Sequence, residues 1–114
     1  MSFIREEYKL VPEGEYLVTE VKGKKIGFRK WTWGEKNQVT TECTHMDPLS
    51  GFMSFDSKAF HEQLFLKTVY KFIDEKFVAF TLEEILALDG KMGDRLFQIT
   101  QQLNLVQAVE TQNL

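Results

Sequence analysis

Three side chains that can bind transition metals, Cys43, His45 and Asp47, alternate along one short stretch of this chain. An extended loop would direct all three to the same side, where they could act as ligands of a metal ion. On a helix, however, residues two apart do not face each other, and no second His or Cys cluster in the sequence completes a tetrahedral set. The spacing therefore favours an ordinary loop cysteine and histidine over a metal site.

Two other groups of residues resemble catalytic or metal-binding motifs, but each has a simpler structural explanation. The run from His61 to Phe65 begins like a His-Glu-x-x-His zinc helix, but Phe65 stands where the second ligand must be. The paired acids Glu83 and Glu84 fall in the opening turn of a predicted helix, where negative charge complements the helix dipole. The sequence has no nucleophile elbow and no phosphate-binding glycine loop. We therefore predict that the protein is not an enzyme and uses neither a metal ion nor a cofactor.

A β-hairpin is predicted from Tyr16 to Trp31, because two strand-like segments flank Gly23, which favours a turn. The alternation places Ile26 and Phe28 on the core face and lets the intervening basic side chains reach solvent. Five cations and no acid occupy residues 22–30: Lys22, Lys24, Lys25, Arg29 and Lys30. Two interpretations stay open, a basic surface that binds a ligand and an edge hairpin whose lysines prevent aggregation.

A Gly-x-x-Gly sequence runs from Gly90 to Gly93, and KH domains use such a loop between two helices to clamp a nucleic-acid backbone. Asp94 places negative charge beside that supposed phosphate site, so a helix stop followed by a restart is the simpler interpretation. An alternative function is nevertheless a small nucleic-acid-binding protein that combines this loop with the basic hairpin. Its contacts would be Lys22, Lys24, Lys25, Arg29, Lys30, Lys91 and Arg95.

Capping residues and apolar spacing indicate the helices. Thr32 with Glu35, and Thr81 with Glu84, have the spacing of capping boxes, in which each side chain accepts the other residue's backbone N–H. Asp56 is predicted to cap a central helix, and the last helix should carry the stripe Met92, Leu96, Ile99 and Leu103. The predicted helices cover about residues 35–44, 57–72, 82–88 and 91–104, while 76–80 is either a strand or a connector. The predicted fold class is α+β, with an N-terminal β-hairpin followed by a small bundle of three to four helices.

Composition points to one small soluble domain spanning residues 1–114, with 1–12 and 106–114 expected as flexible ends. The chain is 43% hydrophobic and 27% charged, and it has no run of about 20 apolar residues that could span a membrane. Its net charge of -3 opposes general binding to nucleic acid or anionic membranes. The lone Cys43 and the absence of an apolar signal sequence predict a cytoplasmic location.

Two sequence patterns support a family resemblance. The junction Phe28-Arg29-Lys30-Trp31-Thr32-Trp33-Gly34-Glu35, and the later Gly93-Asp94-Arg95-Leu96-Phe97 through Leu103-Asn104, resemble tail assembly chaperones of long-tailed bacteriophages. The resemblance covers roughly residues 16–105. It implies a non-enzymatic function in virion morphogenesis, in the cytoplasm of the host cell. Proteins of this family bind the tape measure protein and keep its apolar helical surface from aggregating until tail tube subunits polymerise around it.

The resemblance makes the tape measure protein, or another helical protein segment, the expected partner, and a homo-oligomer stays open. Most apolar residues are needed for the core, so partner contacts are predicted only at apolar positions outside a well-formed stripe. These are Phe52, Met53 and Phe55 after a predicted turn at 47–51, Phe77 in the connector, and Leu105, Val106 and Val109 in the tail. Trp31 and Trp33 are expected to pack rather than bind. A further alternative is a structural connector or tail-completion protein.

Overall fold

The computed structural model describes residues 9–105. A five-stranded antiparallel sheet has the strand order β1-β2-β3-β6-β7, and a separate two-stranded sheet pairs β4 with β5. The elements are β1 (Val11–Glu13), β2 (Tyr16–Val21), β3 (Lys24–Phe28), α1 (Trp33–Glu42), β4 (Thr44–Met46), β5 (Met53–Phe55), α2 (Ser57–Thr68), β6 (Val69–Ile73), β7 (Lys76–Ala79), α3 (Leu82–Leu86) and α4 (Gly90–Asn104). The predicted α+β class is confirmed, although the sheet is larger than one hairpin.

The predicted hairpin is present as β2 and β3. Lys22 and Gly23 form its turn, and both have positive φ, 53° and 79° respectively, as a type I′ turn requires. Ile26 and Phe28 face the core and are almost completely buried, as their alternation predicts. The hairpin does not stand at the edge of the sheet, because β1 pairs with β2 on one side and β6 pairs with β3 on the other.

The central helix is shorter than predicted. We expected it to extend to Phe72, but α2 ends at Thr68 and Val69 begins β6. β6 pairs with β3 through Val69 opposite Phe28 and Tyr70 opposite Gly27, so its backbone hydrogen bonds are satisfied by a distant strand. The β-branched and aromatic residues of β6 also favour a strand. Residues 76–79 form β7, which is the strand alternative for that segment.

Two hydrophobic clusters hold the layers together. The first lies between the sheet and the helices α2 and α4, and it consists of Val21, Ile26, Phe28, Phe65, Val69, Met92, Leu96 and Ile99. The second joins α1 to α2 and consists of Trp31, Val39, Cys43 and Leu64. Trp31 therefore packs as predicted. Trp33 does not, because it is the first residue of α1 and its side chain is 80% exposed.

Polar side chains connect the end of α4 to the exit of β3. The Asn104 side chain accepts the Trp31 N–H at 3.0 Å and donates to the Arg29 carbonyl at 3.3 Å. It also donates to the Thr100 hydroxyl, which in turn contacts the hydroxyl of Thr68, and both threonines are fully buried. Asn104 thus fixes the junction between β3 and α1 from a position 73 residues away in sequence.

Position 27 has no room for a side chain, because the ring of Phe77 crosses β6 and lies above the Gly27 backbone. A Cβ at position 27 would lie 2.7 Å from the Phe77 Cε1 atom. The ring cannot easily withdraw, because it also packs on Tyr16 and Phe72, with centroids 4.5 Å and 4.9 Å away. Gly27→Ala is therefore expected to reduce the free energy of unfolding by about 1–3 kcal/mol in urea titrations.

A Phe77→Leu substitution supplies the control for this prediction. The smaller side chain leaves room for a Cβ at position 27, so adding Gly27→Ala to Phe77→Leu should cost less than Gly27→Ala costs in the wild type. Equal costs in the two backgrounds would show that the ring is not the obstacle.

Candidate functional site

The β4–β5 hairpin is the most exposed apolar element among the described residues. Its tip is the turn predicted at residues 47–51, where the Asp47 carboxylate accepts the Leu49 N–H at 3.0 Å and the Ser50 hydroxyl at 2.9 Å. These hydrogen bonds lower the pKa of Asp47, the backbone N–H of Leu49 contributing most. Gly51 completes the turn with a positive φ of 76°. The turn is as predicted, whereas the sequence did not predict the strands on either side of it.

The hairpin apolar surface consists of Met46, Leu49, Phe52, Met53 and Phe55. Met46 pairs directly with Met53, and Phe55 lies two residues further along the same face. Leu49, Phe52 and Met53 are 96%, 76% and 62% exposed. At the base, the Phe55 ring contacts the Phe60 ring of α2 with centroids 5.3 Å apart. One end of the surface is thus anchored to the domain, and the other projects into solvent.

Exposed apolar side chains gathered on one hairpin call for an explanation. Scattered single apolar residues are ordinary on a protein surface, whereas contiguous ones mark interaction sites. An isolated two-stranded ribbon is also only marginally stable in water, so the surface gains from being covered. The two methionines suit a surface that accepts varied partners, because their side chains are flexible and polarisable. The hairpin therefore presents an exposed apolar surface of the kind that marks interaction sites.

The other predicted partner contacts lie elsewhere. Phe77 belongs to the aromatic cluster on the face of the sheet turned away from the first hydrophobic cluster, where it packs on Tyr16 and Phe72. Leu105 is partly buried against the second hydrophobic cluster, which Phe60 also joins. Val106 and Val109 lie outside the described residues. The structure thus brings together Phe52, Met53 and Phe55 but places Phe77 in a different cluster.

Sequence reasoning missed Met46 and Leu49 as members of this surface. Met46 is 60% exposed, and Leu49 is the most exposed large apolar residue of the described chain. The signal for them was partial, since Met-Ser-Phe after the turn sequence alternates in polarity whereas Thr-His-Met before it does not. Strands of three residues are too short for that alternation to be distinguished from chance.

The basic residues proposed for nucleic acid do not all lie together. Lys22, Lys24 and Lys25 lie at the β2–β3 turn, whereas Arg29 lies past the opposite end of β3, about 16 Å along the strand. The Arg29 guanidinium is engaged within the domain, donating to the two Glu35 carboxylate oxygens at 3.1 Å and 2.9 Å and to the Tyr70 hydroxyl at 3.2 Å. Arg29 therefore acts as a structural ion-pair partner.

The Gly90–Gly93 segment is not the loop that the nucleic-acid alternative requires; it lies where a new helix starts after the stop at Asp89, as the simpler interpretation predicts. These residues form the first turn of α4, and Asp89 caps the helix by accepting the backbone N–H groups of Lys91 and Met92 at 3.1 Å and 3.3 Å. The cap satisfies amide groups that a phosphate would otherwise have bound. Lys91 and Arg95 are four residues apart on α4, which places them on one helix face rather than around a loop.

The three potential metal ligands also differ in their exposure to solvent. Cys43 is buried in the second hydrophobic cluster, whereas His45 and Asp47 are exposed. Burial raises the pKa of the Cys43 thiol, which keeps it protonated and disfavours metal binding. Across residues 9–105, no group of three His, Cys, Asp or Glu side chains is placed to hold a metal ion. None of the helices in that part of the chain is long and apolar enough to cross a membrane.

The Arg29–Glu35 pair makes stability depend on pH. Hydrogen bonds from Arg29, and then from the Thr32 N–H, lower the pKa of Glu35 from 4.5 to about 2. Because the folded state binds this proton less tightly, the stabilisation is present above pH 4.5 and is lost as the pH falls towards 2. The Glu35 side chain is one-third exposed, and after allowance for solvent screening the contribution is about 1 kcal/mol.

Urea unfolding of the wild type and Glu35→Gln can measure this contribution. The glutamine keeps an acceptor for the Thr32 N–H, so the two proteins should differ by about 1 kcal/mol at neutral pH and converge as the pH approaches 2. A difference that stays constant through this range would show that the carboxylate charge is not responsible.

Comparison with protein-family models, curated proteins and solved structures finds no match to this chain.

Proposed function

We propose that this protein is a non-enzymatic protein-binding module, and that it acts as a tail assembly chaperone of a long-tailed bacteriophage. In this role it shields the apolar helical surface of the tape measure protein in the host cytoplasm during tail morphogenesis. The observation that carries the proposal is the hairpin apolar surface, whose residues Leu49, Phe52 and Met53 are more than half exposed. The strand-to-helix junction and the Gly-Asp to Leu-Asn segment add the family resemblance.

The size of the hairpin suits a helical partner held weakly. Each strand has three residues and is about 10 Å long, which matches about two turns of an amphipathic helix. A helix laid on such a surface would present apolar residues at i, i+3, i+4 and i+7. So small a contact gives a transient complex. Transient binding is what a chaperone needs, because tail tube subunits must later displace it.

Co-expression tests this proposal. The probe is the longest predominantly helical protein encoded beside this chain, expressed with and without it. We expect the chain to raise the soluble fraction of that protein several-fold and to elute with it in one gel-filtration peak. Separate elution together with unchanged aggregation of the probe would contradict the proposal.

The alternative functions predict different outcomes in the same preparations. A nucleic-acid-binding protein would retain single-stranded DNA at low salt and release it as salt increases. A structural connector or tail-completion protein would form a closed ring of its own copies on gel filtration. Either result, obtained without any effect on the helical probe, would replace the chaperone proposal.

A further inference from the structure

A cleft of about 850 Å³ opens at the end of the sheet that carries the β2–β3 turn. It lies between that turn, the end of β6 and the corner where α3 passes into α4. Its apolar wall comes from Ile26, Phe80, Leu88 and Met92, and four lysines also line it: Lys22, Lys24, Lys25 and Lys71. This volume is within the range of about 300–1,000 Å³ that small-molecule sites occupy.

Positive charge at the cleft is only partly neutralised by the protein. Lys71 pairs with Glu84, and the Lys25 ammonium is 3.2 Å from Glu13. Asp89 is the single acid in the lining, and it is engaged as the helix cap of α4 while lying 3.9 Å from the Lys22 ammonium.

Among the described residues, Lys24 has no such partner. Its side chain makes no ion pair with any of the residues 9–105, and it is exposed. An anion entering the cleft would therefore find Lys24 and the loosely held Lys22 as donors of charge-assisted hydrogen bonds.

The backbone explains why the cleft stays open. Gly23 has no side chain and Ala87 has only a methyl group, so neither the turn nor the helix corner fills the space between them. Gly23 cannot readily be larger, because its positive φ of 79° strains other residues. The result is an apolar wall next to flexible cations, an arrangement complementary to a molecule with an apolar body and an anionic end.

We propose that this cleft binds an anionic amphiphile, a small molecule that carries one carboxylate on a medium-length apolar chain. The apolar chain lies against Phe80 and Leu88, and the carboxylate accepts hydrogen bonds from Lys24 and Lys22. This inference does not depend on the chaperone proposal, because the cleft and the hairpin apolar surface share no residue.

Dodecanoate is the probe, titrated into the full chain below its micelle concentration and followed by calorimetry and by methyl NMR. We expect saturable binding, with the methyl signals of Ile26, Leu88 and Met92 shifting most. Lys24→Gln should weaken binding about tenfold, the effect of losing one charge-assisted hydrogen bond. Lys30→Gln, which changes an exposed lysine outside the cleft, should leave the affinity unchanged.

Two further measurements test the location of the site and its preference for negative charge. Ala87→Trp fills the cleft from an exposed position and should remove binding, with a thermal melt confirming that this variant is folded. Dodecyltrimethylammonium, which has the same chain and the opposite charge, should bind at least tenfold more weakly than dodecanoate. Equal binding of the two probes, or affinity unchanged in both Lys24→Gln and Ala87→Trp, would overturn the proposal. So would binding of single-stranded DNA that depends on Lys24 in the absence of dodecanoate binding.

Discussion

Replacing Leu49, Phe52 and Met53 together with serine is expected to abolish the increase in solubility that the chain confers on a co-expressed helical partner. These side chains form the projecting end of the hairpin apolar surface, and they are 96%, 76% and 62% exposed. Exposed side chains contribute little to folding, so the melting temperature should change by only a few degrees. Phe55 is left in place, because its contact with Phe60 anchors the hairpin.

A second triple variant provides the control. Val11, Trp33 and Leu86 are also large, apolar and more than half exposed, but none of them belongs to the β4–β5 hairpin. Serine at these three positions removes a similar amount of exposed apolar surface and should preserve the effect on the partner. If both triple variants lose activity equally, general hydrophobicity rather than the hairpin is responsible.

Asn104→Leu is expected to lower the free energy of unfolding by about 3 kcal/mol, a larger loss than Glu35→Gln should cause. The substitution leaves the Trp31 N–H and the Arg29 carbonyl without their side-chain partner and removes a donor to the Thr100 hydroxyl. Each unsatisfied group in a partly buried position costs about 1–3 kcal/mol. Urea titration measures the change, and an unaltered slope would show that the unfolded state is unaffected.

Two further variants, Asn104→Asp and Gln102→Leu, distinguish the loss of side-chain hydrogen bonds from a general effect on the helix. Aspartate keeps an acceptor for the Trp31 N–H and loses the donor to Arg29, so its loss of stability should be intermediate. Gln102 is exposed on the same helix, and leucine there should change stability by less than about 0.5 kcal/mol. If Gln102→Leu is as destabilising as Asn104→Leu, the effect belongs to the helix rather than to the side-chain hydrogen bonds.

Local signals predicted much of the fold. The turn at Gly23, the capping boxes at Thr32 and Thr81, and the stripe that begins at Met92 lie within short segments, and the structure contains each of the corresponding elements. Each depends on the backbone preference or side-chain spacing of residues close together in the chain. Such features can be identified without knowing what packs against them.

The switch from α2 to β6 could not be predicted in this way. Val69 and Phe72 fit the apolar face of a helix as well as they fit a strand, and a short apolar run does not distinguish the two. The deciding interaction is pairing with β3, about 40 residues earlier in the sequence. The position of Phe77 could not be predicted for the same reason, because its packing partner Tyr16 lies 61 residues earlier in the chain.

The candidate site was predicted in part. Phe52, Met53 and Phe55 fall outside any apolar stripe, which predicts them as partner contacts, and the structure places them on one exposed hairpin. The lysine-lined cleft was not foreseen, because it combines the β2–β3 turn with residues from β6 and the start of α4. A sequence shows the charges of Lys22 and Lys24, whereas the apolar wall beside them exists only after the distant segments pack.

The hydrogen bonds of Asn104 also have a consequence for synthesis on the ribosome. The hairpin of β2 and β3 can form early, but the junction after it is completed only when Asn104 has been added, 73 residues after Trp31. At about 5–20 residues per second, the interval is about 4–15 s. A chain that stops before residue 104 therefore lacks the side chain that bonds the Trp31 N–H and the Arg29 carbonyl at this junction.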